Sequence, residues 1–267
     1  MGCGPHALLR AGLVGRLEGE GIACEIIEIE PERELRAEIA TTFDLHRAVR
    51  KAVEAAKREG RLPISLTGNC NTGVIGSLAA GAANDIGLFW FDAHSDAETP
   101  ESSTSGFLDG MSFAMVLGQC WRPMLESTGA LRLDGAKAAL VGAREVSRAA
   151  GELLRENGVA LVSPEQARTL SASEALAGAI RQLKAAGVRQ VHVHVDLDVL
   201  DPDLVGPANS YALPGGVTEA QLQDLLSLIL REFSLSSASI ASYDPSLDPT
   251  GAVAAAGLNL VSLLAHA

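Results

Sequence analysis

Seven short apolar runs punctuate this chain, and amphipathic stretches separate them over most of its length. The runs are Cys24–Ile29, Leu62–Thr67, Ile86–Phe91, Lys137–Gly142, Val159–Val162, Val191–Leu197 and Ser237–Tyr243. Between them, Leu45–Arg58, Glu174–Ala186 and Glu219–Glu232 carry the apolar spacing of half-buried helices. Such alternation permits few architectures. Strands joined by helical crossovers lie parallel, and the crossovers must cover both faces of the sheet. The expected fold is therefore α/β, a three-layer α/β/α arrangement with a mostly parallel sheet. No internal repeat, low-complexity tract or long linker interrupts the pattern, so residues 1–267 read as a single domain.

Local signals agree. Ser163 with Gln166, Ser171 with Glu174 and Thr218 with Gln221 each match a capping box, in which two side chains satisfy exposed N–H groups at a helix start. Gly60, Gly158 and Gly187 lie just past helix-like stretches, where a left-handed residue closes the last turn.

Charge narrows the partners. With 21 basic against 33 acidic residues the net charge is −12, which argues against nucleic acid or an anionic membrane as the main partner. No apolar stretch approaches the roughly 20 residues needed to span a bilayer. Met1–His6 has no basic region followed by an apolar run, so no signal peptide is expected. Cys3, Cys24, Cys70 and Cys120 form no C-x-x-C pair and are expected as free thiols. A cytoplasmic location follows as the expectation.

Two acidic clusters carry the chemistry: Asp92-Ala93-His94-Ser95-Asp96, and Asp196-Leu197-Asp198 followed by Asp201-Pro202. Each adjoins an apolar run, and in parallel sheets ligands bind beyond the carboxyl ends of strands. The period-2 geometry of a strand puts His192, His194, Asp196 and Asp198 on one face, opposite Val191, Val193, Val195 and Leu197. Carboxylates crowded at buried strand ends repel unless a cation joins them. Oxygen donors suit Mg²⁺, Ca²⁺ or Mn²⁺, and an added imidazole shifts the choice towards Mn²⁺ or Zn²⁺. The bland alternative is a polar sheet edge with solvated aspartates, which the strongly apolar flanks disfavour.

On these motifs the chain resembles the ureohydrolase family of arginase, agmatinase and formimidoylglutamase. Asp92–Asp96 matches the family's D-A-H-x-D, Asp196–Pro202 matches D-x-D-x-x-D-P, and Leu213–Thr218 matches the Gly-Gly turn that follows. Ser105–Met111 resembles the substrate loop S-G-x-x-H-G-M, and Gly68–Gly76 resembles the G-G-D-H-S segment. The resemblance implies an arginase-like fold, with two Mn²⁺ ions per chain and hydrolysis of guanidino or amidino C–N bonds by a hydroxide bridging them. Asp92 and Asp196 would touch both ions, His94 and Asp198 one, and Asp96 the other. Asp96 would also handle protons in catalysis. A homo-oligomer, trimer or hexamer, is implied as well.

Four departures bear on the substrate. The family's first histidine ligand falls on Cys70 when counted from the preceding strand, or on Asn71 when counted back from Gly76; the strand favours Cys70 as a metal ligand. That cysteine is either a softer ligand or an inert thiol beside a weakened site. The loop histidine becomes Asp109, a candidate proton carrier or simply a turn residue. The loop asparagine becomes Phe107, leaving Glu98 and Ser105 as candidate substrate-binding groups. The glutamate that holds guanidinium becomes Ser242, which cannot form the bidentate pair. Plain L-arginine is thus not the expected substrate. A guanidino or formimino small molecule is, with a catalytically inactive metal-binding homologue as the alternative. A metal-dependent deacetylase, with one Zn²⁺ and a histidine pair ahead of its D-x-H, fits less well than a ureohydrolase, which the Asp196–Asp198 pair and the Gly215-Gly216 turn match.

Overall fold

The computed structural model describes the chain except residues 32–36, 81–84 and 131. Short helices α1 (Gly4–Arg10) and α2 (Leu13–Gly19) precede the long α3 (Glu38–Arg58). Strand β1 (Ile64–Leu66) leads into α4 (Cys70–Ala80), and β2 (Ile86–Phe91) into a long loop ending at α5 (Ser112–Val116) and α6 (Arg122–Thr128). Then come β3 (Ala138–Val141), α7 (Arg148–Glu156), β4 (Ala160–Val162), α8 (Pro164–Thr169) and α9 (Ala172–Ala185). The described chain closes with β5 (Gln190–Asp196), α10 (Glu219–Glu232), β6 (Ser234–Ala241) and α11 (Ala252–Ala265).

The strands form one parallel sheet in the order β1-β6-β5-β2-β3-β4. From β2 the chain moves outward through β3 to β4, then returns to lay β5 against the other side of β2. The carboxyl ends of β2 and β5 therefore flank the crevice where such sheets take ligands. Both acidic clusters begin there.

Alternation along the strands builds two cores. Phe89, Phe91, Val191, Val193, Val195 and Ile240 face α1, α2 and α8 to α11. Leu88, Trp90, Leu140 and Ala241 face α3 to α7. The second face also carries a polar stripe, His192 and His194 on β5 with Ser237 and Ser239 on β6, all fully buried. Helix α4 lies directly over this stripe: a Cβ on Gly73 would come within 2.8 Å of the Ser239 Cβ. All three capping boxes form, at α8, α9 and α10. Gly60, Gly158 and Gly187 all adopt left-handed φ values.

Two expectations need correction. Cys24–Ile29 is not a strand: it pairs with nothing among the described strands, and Ile26 and Ile27 are 53% and 54% exposed. An apolar pattern makes a segment extended, but only a partner's N–H and C=O groups make it a strand. Nor does Asp198 share the β5 face by simple alternation. The strand ends at Asp196, whose carboxylate accepts the Asp198 N–H at 2.9 Å and starts a single 3₁₀ turn over Leu197–Val199.

Candidate metal centre

Helix α4 begins where β1 reaches the crevice, so its first residue, Cys70, enters the cluster from above the sheet. The thiol is buried and donates to Asp196 Oδ2 at 3.0 Å, with Ser242 Oγ at 3.5 Å on its other side. Asp109, from the loop after β2, holds that end of the helix. Its Oδ2 accepts Cys70 N–H at 3.1 Å, and its Oδ1 accepts Asn71 N–H at 3.1 Å. The same Oδ1 accepts from Asn71 Nδ2 at 2.8 Å and Ser112 Oγ at 2.9 Å. A carboxylate at a helix start satisfies N–H groups that have no partner within the helix.

The end of β2 supplies a second grouping. Asp92 Oδ2 accepts Trp90 Nε1–H at 2.8 Å, and its Oδ1 accepts the His94 N–H at 2.7 Å. His94 Nδ1 stands 3.3 Å from both Asp92 Oδ1 and Asp198 Oδ2. Asp198 is fixed further by Ala93 N–H at 3.1 Å and Asn209 Nδ2 at 3.1 Å. Asp96 has a left-handed backbone, φ 45°, which aspartate tolerates better than most residues. Its carbonyl accepts Phe113 N–H at 2.7 Å, and that bond holds the conformation in place.

Three sets of donor atoms lie within 4.8 Å of one another: Asp92 with His94 and Asp198, Cys70 with Asp96 and Asp109, and Cys70 with Asp92 and His194. Shared members and the Cys70–Asp196 bond join all of these residues into one contiguous cluster.

Its electrostatics call for a cation. Burial, reinforced by Asp198, pushes Asp92 up to about 6. Burial and neighbouring carboxylates drive Asp96 and Asp196 well above the ordinary range. Burial likewise raises the Cys70 thiol, and Asp196, Asp109, Asp96 and Asp92 add to it. Burial works against a charged His94, yet Asp198 and Asp92 outweigh it and push the imidazole up to about 12. Asp198, despite burial, is held low by His94 and Asn209. Asp92 Oδ1, Asp198 Oδ2 and His94 Nδ1 thus converge on one place. Arg144, the nearby guanidinium, is directed instead at the carbonyls of Val199, Asp198 and Leu213. Clustered carboxylates with an imidazole and a thiol, and so little cationic compensation, fit divalent metal.

Comparison with known proteins decides the lineage, because the model of the arginase family matches residues 2–266. The chain belongs to the arginase family. It is 26% identical to the arginase of Staphylococcus aureus strain MRSA252, over 97% of this chain and 89% of that protein. Identity to the Bacillus caldovelox arginase is also 26%, over 98% of this chain and 91% of the other. The fold matches the crystal structure of Bacillus subtilis arginase with a TM-score of 0.88 at 24% identity, covering 99% and 92% of the two chains.

Within this arginase-family cluster stand Cys70, Asp92, His94, Asp96, Asp109, Asp196 and Asp198. The Cys70 thiol faces the carboxylates, whereas the Asn71 amide turns to Asp109 and to His46 Nε2 at 2.9 Å. Glu98 and Ser105 have no hydrogen bond to the cluster among the described residues. The Glu98 carboxylate accepts from Ser102 Oγ, and the exposed Ser105 hydroxyl accepts Phe107 N–H at 3.1 Å. Phe107 stacks on Tyr211, with ring centroids 5.9 Å apart. Sequence reasoning missed Asn209, which ties Asp198 to the Ser242 carbonyl at 3.0 Å. An asparagine in a loop gives no warning of that role. It also missed Asn71, inside the quoted Gly68–Gly76 segment, and Ser112, the residue just after the quoted Ser105–Met111 loop, as partners of Asp109.

Proposed function

We propose that this protein is a metal-dependent hydrolase of linear C–N bonds in guanidino or amidino compounds, working on a substrate other than plain L-arginine. The observation that carries this reading is the convergence of Asp92, His94, Asp96, Asp196, Asp198 and Cys70 at the ends of β2 and β5 with too little positive charge to balance them. Those six residues would hold two divalent ions, Mn²⁺ by family resemblance. When bound, the ions would supply a water acidified to near neutral pH and charge for the developing transition state.

The side chains do the rest. Asp196 accepts from the Cys70 thiol and an Asp92 oxygen lies within 4.8 Å of its sulfur; by the family resemblance these two carboxylates would touch both ions. Asp96, grouped with Cys70 and Asp109, would accept a proton from the attacking water and return it to the departing amine, the role that the family resemblance implies. Asp109 has four hydrogen-bond donors on its oxygens and acts by fixing the start of α4 rather than as a free base. Glu98 and Ser105, on the loop before α5, remain the proposed substrate contacts.

The substrate restriction rests on Ser242. It is buried, left-handed with φ 65°, and turned towards Cys70, so no carboxylate occupies the place where a guanidinium would pair. Phe107, stacked on Tyr211, presents an apolar surface instead of an α-carboxylate partner. A panel of guanidino and formimino compounds, assayed with Mn²⁺, Zn²⁺ and Fe²⁺ for urea, ammonia or formamide, tests the proposal. Turnover of at least one member above arginine is expected, and silence across the panel overturns it. Ser242 also favours a second reading, a metal-binding homologue without catalysis. One ion or none per chain would support that alternative, and two ions the enzyme. A cytoplasmic location, the trimer or hexamer that the resemblance implies and a single catalytic domain over 1–267 complete the reading; light scattering in solution checks the assembly.

A further inference from the structure

Among the described residues four buried side-chain atoms have no hydrogen-bond partner, and of these only His194 Nε2 belongs to a residue grouped with other possible metal ligands. His194 lies on β5 with 0% exposure, and its Nδ1 is 2.7 Å from Ser239 Oγ, while its Nε2 meets no donor or acceptor. An unsatisfied buried nitrogen forfeits its hydration without a replacement bond, so one that faces other donor atoms calls for a physical reason. A His194 ring nitrogen, the Cys70 sulfur and an Asp92 carboxylate oxygen lie within 4.8 Å of one another, all on buried side chains. With Nδ1 engaged by Ser239, Nε2 is the nitrogen free to join them.

We infer that His194 Nε2, Cys70 Sγ and Asp92 together form a nitrogen–sulfur–oxygen site for one divalent ion, beneath the start of α4. This rests on the reading of the cluster as a metal centre and specifies its deeper half. Where the resemblance puts a histidine on the helix this chain has Cys70, and the imidazole is returned from the strand below. Metal–ligand bonds of about 2.0–2.3 Å put donor atoms about 3.3–3.8 Å apart around a tetrahedral ion, a small inward adjustment from the present spacing.

The surroundings are those of a ligand rather than of a packed core histidine. Ser239 Oγ fixes the Nδ1 side, and it is itself 3.0 Å from His192 Nε2, whose Nδ1 reaches Ser237 Oγ at 2.8 Å. Metal-bound histidines are oriented in this way by a hydrogen bond on the other ring nitrogen. Trp90 closes the remaining side, its ring 4.3 Å from the His194 ring, while its Nε1–H holds Asp92. Both ring nitrogens of His192 are engaged, whereas His194 keeps one nitrogen unpartnered beside Cys70 and Asp92; His46, whose Nδ1 is also unpartnered, has no such donors grouped with it. Thiolate and imidazole donors favour borderline ions such as Zn²⁺ or Co²⁺ over Mn²⁺. As the ion binds, the Cys70 proton now donated to Asp196 passes to solvent.

Loading the full-length protein with Co²⁺ or Zn²⁺ tests this. The Co²⁺ form is expected to bind two ions and to show a thiolate-to-cobalt charge-transfer band. His194→Gln should lose one ion and the band, or bind that ion at least tenfold more weakly; two ions and an unchanged band in His194→Gln overturn the inference. Should that variant fail to fold, His94→Asn provides the second measurement. Its bound Zn²⁺ should show both sulfur and imidazole scattering in X-ray absorption, because His94 no longer contributes. Sulfur without imidazole there also overturns the inference, while leaving the metal-hydrolase reading in place. No ion bound by any form overturns both.

Discussion

The two halves of the cluster are built from similar letters but organised differently. In the Asp92–His94–Asp198 half, two carboxylates aim lone pairs at one imidazole nitrogen, with backbone N–H groups and Asn209 holding them from behind. In the Cys70–Asp96–Asp109 half, the thiol donates to Asp196 and Asp109 is turned to the start of α4. The first half is arranged as a ligand set in waiting. The second is partly committed to fixing the helix that carries its cysteine. Where the family motif has a histidine, Asp109 accepts hydrogen bonds from Cys70 N–H, Asn71 and Ser112, the geometry of a helix anchor.

Substitutions can break this contrast. Asp92 faces both halves, so Asp92→Asn should lower kcat/KM on any substrate the panel finds by more than the roughly 10–100-fold typical of outer-shell changes, and should reduce the bound metal in each half. An effect confined to one half would separate the two sites. Asp109 sharpens the contrast next. Asp109→Ala removes a cap and strands Asn71 and Ser112, at a cost of about 2–4 kcal/mol in urea unfolding. Asp109→Asn should cost clearly less. Normal stability with abolished kcat in Asp109→Asn would instead make Asp109 the proton carrier.

Acid–base behaviour gives a third handle. His94 is raised in the folded protein to about 12 from an ordinary value near 6.5, so the folded state keeps a proton that the unfolded state loses. Its contribution is complete below about pH 6.5 and is lost as pH rises towards 12. Asp92, raised to about 6, acts in the same direction between about pH 3.8 and 6. Metal-free protein should therefore lose stability from pH 7 to 9, His94 alone contributing at most about 1.4 kcal/mol per pH unit and the raised Asp96 and Asp196 acting in the same direction. Saturating divalent metal, which takes the place of these protons, should remove the decline. Buried neutral histidines act oppositely: His46 is held down to about 4 and His192 to about 3 by burial, so both oppose stability below about pH 6.5. The smallest effect expected is that of Asn209→Ala, which loosens Asp198 and should weaken metal binding in the first half about tenfold, with the thiol half unchanged.

Much of this architecture was legible in the sequence. Six apolar runs became strands because each gained parallel neighbours, and the capping boxes formed because their partners are local in sequence. Cys24–Ile29 had the pattern of a strand without a partner, which no local reading can supply. The acidic clusters were legible because carboxylates next to apolar strands need a physical reason. Asn209 was not, nor was the approach of Ser242 to Cys70, since their meetings with Asp198 and Cys70 depend on loops converging from separate crossovers. His194 was placed on the right face but could not be separated from His192. Only the structure distinguishes the histidine with two partners from the one with a free nitrogen.

The central claim is that the buried carboxylates, imidazole and thiol coexist because two divalent ions share them. Counting bound ions by mass spectrometry after dialysis against Mn²⁺ or Zn²⁺ addresses it most directly, in the parent protein and in Asp198→Asn. Two ions per chain in the parent and one in the variant are expected. A parent protein that retains neither ion, while remaining folded, would contradict the account.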